Sequence, residues 1–192
     1  VGWNPGHLNP AIVRPAGPTD PAVPVVYLEA ADGKPLATYV NFAMHLDTVG
    51  GLEFSADYPC TLARLLGAYR GPDMLTVFTT GTAGDVNHLK VSWGGQRGGH
   101  TEAVRLGTIL AGAVLETYTN LSPLPAGRLR ARSATVKLPL AEIAPGDEEK
   151  AQAVIARRGG ASEPTFLETV NAFKVLDVAA RQGKPIETEV QV

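Results

Sequence analysis

Apolar and β-branched residues gather in two runs, residues 23–30 and 36–44, separated by the loop ADGKP. A short Gly-containing loop between two such runs predicts an antiparallel hairpin, its second strand running up to His45. A Gly-rich loop follows, and then Leu62, Leu65 and Leu66 recur at helical spacing. They predict a helix capped by Ser55 or Asp57 and running to about Tyr69, closed by GPD. Residues 74–79, MLTVFT, read as a buried strand, and GTAGDVNH after them reads as a turn. Residues 101–118 carry a broad apolar face of Val104, Leu106, Ile109, Leu110, Ala113 and Val114, which predicts a helix. Alternation over 128–138 predicts a half-exposed strand. Helical periodicity over 146–158 and 163–181 predicts two further helices, with a last strand near Glu187. The expected fold class is α/β: a mixed β-sheet with packed helices, in one incomplete domain spanning 1–192.

Proline and glycine (15 and 21 residues) cluster between the periodic segments rather than forming a low-complexity tract. Shaped loops are therefore expected, and residues 1–22, with NPGHLNP and PAGPTDP, form an extended lead-in. Residue 1 is Val, no signal-peptide pattern opens the chain, and residues 187–192 begin a strand that stops. Both ends are expected to be cuts in a longer protein.

Composition removes several classes of function. The 192 residues are 44% apolar, enough for a packed core. The formal charge is -2, with no run of Lys and Arg interleaved with aromatics, so nucleic acid is not an expected partner. No apolar stretch approaches the roughly 20 residues of a membrane helix. Cys60 is the only cysteine, which excludes an intrachain disulfide framework and a cysteine-based zinc site.

The candidate chemistry lies in two loops. His45 stands where a buried strand gives way to LDTVGG, so its imidazole is expected at the sheet's edge, where it suits a zinc ion. A catalytic zinc takes about three protein ligands, so one histidine is not a site; hydrogen bonding within the fold is the alternative role. Asp47 and Asp57 follow in the same region, while Asp85, Asn87 and His88 belong to the turn after a different strand. They converge only if the two strands are neighbours, because loops at the carboxyl ends of strands line the crevice of an open α/β sheet. Asp57 as a helix cap, and Asp85 and Asn87 as an Asx-type turn, are the structural alternatives.

From residue 9 to 120 the order NFAMH, SADYP and an apolar strand followed by GTAGDVNH resembles the neutral ceramidase family, especially its bacterial relatives. The resemblance implies that His45 binds zinc and that Ser55, Ala56 and Asp57 match the family's serine-and-aspartate element. It also implies that the turn from Gly84 to His88 matches the segment bearing the family's active-site serine. Asn87 stands where that serine is placed, and His88 where a proline is usual. The implied activity is zinc-dependent hydrolysis of a small-molecule or lipid amide by an activated water, in a secreted or periplasmic protein. The family's remaining ligands, a His, a Glu and a Tyr, correspond to segments before Val1 and after Val192. Asn87 would stabilise an oxyanion, and His88 or Asp57 would move a proton, with Asp85 beside them. Two other readings compete: a co-catalytic dizinc peptidase using His45 and Asp47, and a non-catalytic module that binds lipid or carbohydrate.

Overall fold

A computed structural model describes residues 6–125, 127–128 and 130–191, which form two compact units divided near residue 124. Among the described residues of the first unit, 6–24 carry turns and bends but no helix or strand, in keeping with their prolines. Its sheet has, among the described residues, three strands: β1 (Val25–Glu29), β2 (Pro35–Phe42) and β3 (Leu75–Thr80). β1 and β2 form the expected antiparallel hairpin, with a register shift at Leu28 and Glu29. β2 and β3 pair in parallel, Asn41 opposite Thr79 and Phe42 opposite Thr80, so the sheet is mixed and of α/β type.

The crossover between the parallel strands is α1 (Asp57–Arg70), which ends at Gly71 with φ 119°, a conformation that favours glycine. The second long helix is α2 (His100–Thr117). The two helices pack together and close one core with the sheet, in which Val40, Tyr58, Leu62, Leu66 and Val114 are fully buried. The face of α2 that is buried is narrower than its apolar pattern. Ala103, Gly107, Leu110, Ala111 and Val114 are inside, whereas Val104 and Ile109 are exposed. Small residues lie inside because the helices nearly touch, and a Cβ on Gly107 would stand 2.3 Å from the carbonyl oxygen of Tyr58.

The second unit pairs β4 (Ser133–Leu138) antiparallel with β5 (Ile186–Gln191), Ser133 opposite Gln191 and Leu138 opposite Ile186. Between them come α3 (Asp147–Ala156) and α4 (Phe166–Ala180), packed on each other with Ala151 and Ala172 buried. The α4 start is fixed by a capping box: Thr165 accepts the Glu168 N–H, and the Glu168 carboxylate accepts the Thr165 N–H. β4 starts five residues later than the alternation from residue 128 predicts, and position 129 of that pattern lies outside the described residues. Among the described residues no helix is long and apolar enough to cross a membrane.

Candidate active site at the carboxyl ends of the parallel strands

Parallel pairing sends the chain out of β2 and β3 at the same edge of the sheet, so the loops 43–56 and 81–99 leave side by side. Asn41 ties the two exits, its Nδ2 donating to Thr79 Oγ1 at 2.8 Å and to the Thr79 carbonyl at 3.2 Å. Gly81 then passes so close that a Cβ there would meet Asn41 Oδ1 at 2.9 Å, and its N–H donates to the Phe42 carbonyl. The convergence on which a shared site depends is therefore built by the strand order.

His45 is half-buried and bound twice to one atom. Its backbone N–H donates to the Val86 carbonyl oxygen at 3.1 Å, and its ring Nδ1 lies 2.9 Å from the same oxygen. A carbonyl can only accept, so Nδ1 carries the hydrogen and Nε2 keeps its lone pair. This is the arrangement that orients a metal-ligating imidazole. The residue lines an open depression of about 320 Å³ with Leu46, Thr80, Gly81, Ala83 and Gly84. His45 thus fits the role of one zinc ligand. Among the described residues, no three His, Cys, Asp or Glu side chains gather as a metal-holding group.

Asp47, two residues on, links the loops through its side chain. Its Oδ1 lies 2.8 Å from His88 Nδ1 and its Oδ2 accepts from Asn87 Nδ2 at 3.2 Å. The Asn87 amide orientation is fixed by this bond, because reversing it would turn Oδ1 towards a carboxylate. One Nδ2 hydrogen remains for a second acceptor, while Oδ1 is buried without a partner among the described residues. Gln96, which is buried, holds the backbone behind His88, donating to the His88 carbonyl at 2.8 Å and accepting from Lys90 N–H at 2.9 Å. Beyond it the buried Glu102 forms a two-pronged pair with Arg105, and these bonds hold the Glu102 carboxyl below its ordinary range.

Asp57 is neither a helix cap nor open to a ligand. It is the first residue of α1, with φ 53°, and its buried carboxylate is spent on backbone amides: Oδ2 accepts from Val49 N–H at 2.9 Å and Oδ1 from Tyr58 N–H at 2.7 Å. Ser55 does not cap the helix either, and its Oγ instead accepts the Asp57 N–H. Asp57 therefore shapes the loop that follows His45. Tyr58 lies beneath that loop, its hydroxyl donating to the Met44 carbonyl at 2.9 Å. Burial, together with the charges of Asp57 and Asp47, pushes its phenol well above the ordinary range. Asp85 is exposed and makes no hydrogen bond or ion pair among the described residues.

The structure brings His45, Asn87 and His88 into one pair of loops, leaves Asp85 at the surface and turns Asp57 inward. Gln96 is the member that sequence reasoning left outside the candidate set, and Asp47 entered it only as a metal ligand of the dizinc alternative, not as the partner of His88 and Asn87. The H-x-D spacing of His45 and Asp47 was a signal for Asp47, whereas Gln96 in a Gly-rich loop carried none. Comparison with family models, curated proteins and solved structures finds no match to this chain.

Proposed function

We propose that this chain is part of a zinc-dependent hydrolase of amide bonds, of the ceramidase type, acting on a small-molecule or lipid amide. The observation that carries the reading is the His45 imidazole, held by Val86 so that Nε2 is presented with a free lone pair beside an open depression. The order of NFAMH, SADYP and GTAGDVNH supports it. Zinc bound there would activate a water and polarise the substrate carbonyl. The other ligands are expected from parts of the whole protein beyond the residues gathered here.

Within this chain the division of labour follows from the hydrogen bonds. Asn87 has one amide hydrogen left to donate towards an oxygen that gains charge during attack. His88 has the only other imidazole in these two loops and is the candidate for proton transfer. Asp57 supports the loop, since both its oxygens are already taken by backbone amides.

The test is metal analysis of the whole protein beside its His45→Ala variant. Zinc content and amide hydrolysis are expected to fall together while the circular dichroism of the fold is retained. Unchanged zinc and turnover in His45→Ala would reduce His45 to a structural histidine and end this reading.

A further inference from the structure

The proton-transfer candidate is useful only if its ring carries hydrogen on the correct nitrogen, and the structure addresses that directly. Asp47 Oδ1 lies 2.8 Å from His88 Nδ1. An ionised carboxylate only accepts, so the hydrogen between them belongs to Nδ1, and Nε2 is left as the basic nitrogen. Free imidazole has no such constraint. Two further contacts keep the pair in register. Asn87 occupies the second oxygen of Asp47, which stops the carboxylate from rotating away, and Gln96 pins the main chain on both sides of Leu89. The His88 side chain is only 10% exposed, against 47% for Asp47, so the ring is packed in place while its partner reaches it from the surface.

We propose that Asp47 is a positioning residue that locks His88 in its Nδ1-protonated tautomer and makes Nε2 the proton acceptor of the site. For the reaction it serves, this rests on the amide-hydrolase reading. Nε2 takes a proton from the attacking water as the new C–O bond forms. It returns that proton to the amide nitrogen as the C–N bond breaks, so the products are acid and amine and the ring ends neutral. The Asp47 oxygen beside Nδ1 offsets the charge that the ring carries between the two transfers. The same residue has a structural role, tying one loop to the other, so loss of activity alone would not separate the two.

The separating measurement is the tautomer. In the whole protein labelled with ¹⁵N-histidine, long-range ¹H–¹⁵N correlations at about pH 8, above the ordinary imidazole pKa of ~6.5, should show His88 protonated at Nδ1. The His88 signals are assigned by their loss in His88→Asn. In Asp47→Ala the Nε2-protonated form should appear. Turnover should fall roughly 10²-fold, the low end of what a positioned acid–base group contributes, with KM and zinc content unchanged. Asp47→Glu, which restores an acceptor-only group, should recover the Nδ1-protonated form and part of the turnover. Finding His88 protonated at Nε2 in the unmodified protein would overturn the proposal, whether or not any variant folds. So would an Asp47→Ala protein with unaltered tautomer or turnover. The tautomer measurement needs neither zinc nor substrate, so the hydrolase reading fails separately, on the zinc content and turnover of His45→Ala.

Discussion

Asp57 and Val49 are joined across eight residues of loop, the buried carboxylate accepting the Val49 amide hydrogen at 2.9 Å. The same carboxylate takes the Tyr58 amide, so its charge is balanced by two backbone dipoles rather than by a cation. Asp57→Ala should destabilise the fold by about 2–4 kcal/mol, combining the lost charged hydrogen bonds with an alanine held at positive φ. Asp57→Asn keeps an acceptor and tolerates that backbone, so it should cost less and leave hydrolysis near the original level. Urea denaturation beside kinetics checks both, and an inactive but stable Asp57→Asn protein would return Asp57 to the chemistry.

Glycine is required at 107 and dispensable at 112. A Cβ at Gly107 would meet the Tyr58 carbonyl oxygen at 2.3 Å and Thr61 Cβ at 2.7 Å, neither of which can swing aside, whereas at Gly112 nothing lies within 4 Å. Gly107→Ala should therefore destabilise by about 1–3 kcal/mol through overpacking. Gly112→Ala should stabilise by roughly 0.5–1 kcal/mol through helix propensity. Opposite shifts in thermal midpoint are the expected result.

Alkaline stability should depend on Tyr58. Its folded-state pKa is raised, first by burial and then by Asp57 and Asp47, so the unfolded phenol ionises at lower pH than the folded one. The stabilisation is fully present below about pH 10 and is lost as pH rises above it. Tyr118, also raised mainly by burial, adds to the same trend. Tyr58→Phe should lose about 1 kcal/mol at neutral pH with the bond to Met44, and its stability should fall less steeply than that of the unmodified protein between about pH 10 and 11. Denaturation midpoints across this range test the sign.

Asn87 separates donation from metal binding. If its free amide hydrogen serves a developing oxyanion, Asn87→Ala should lower turnover by roughly 10²- to 10³-fold with zinc retained. Asn87→Asp should be worse for the loop as well, since it sets a second carboxylate against Asp47 where the amide now donates at 3.2 Å. Metal analysis, kinetics and thermal stability of both variants give the comparison.

Local pattern was enough for the elements that bury a repeating face. The hairpin, α1, β3 and α2 all lie within a few residues of their expected places. The start of β4 was not legible, although its end at Leu138 was, because a strand exists only where a partner pairs with it, and among the described residues the pairing with β5 begins at Ser133 opposite Gln191. The width of the α2 face was misjudged for a related reason: apolar spacing marks which residues can be buried, and the close approach at Gly107 selects the small ones. In the site, His45 was legible as a histidine at the exit of a strand, although β2 ends three residues earlier, at Phe42. The role of Asp57 was not, since it depends on the path of a loop that brings Val49 back over the helix start. The link from Asp47 to His88 spans 41 positions and follows from the parallel pairing of β2 and β3, which no local window contains.

The double attachment of His45 to the Val86 oxygen makes the two loops mechanically one body at that point. With only its ring bonded, the backbone of His45 could shift beneath a fixed imidazole, and with only its backbone bonded, the ring could change rotamer freely. Here both motions strain bonds to the same atom, so whatever tilts the turn after β3 carries the imidazole with it. A ligand that docks on that turn would thereby reset the direction of the Nε2 lone pair without touching the ring.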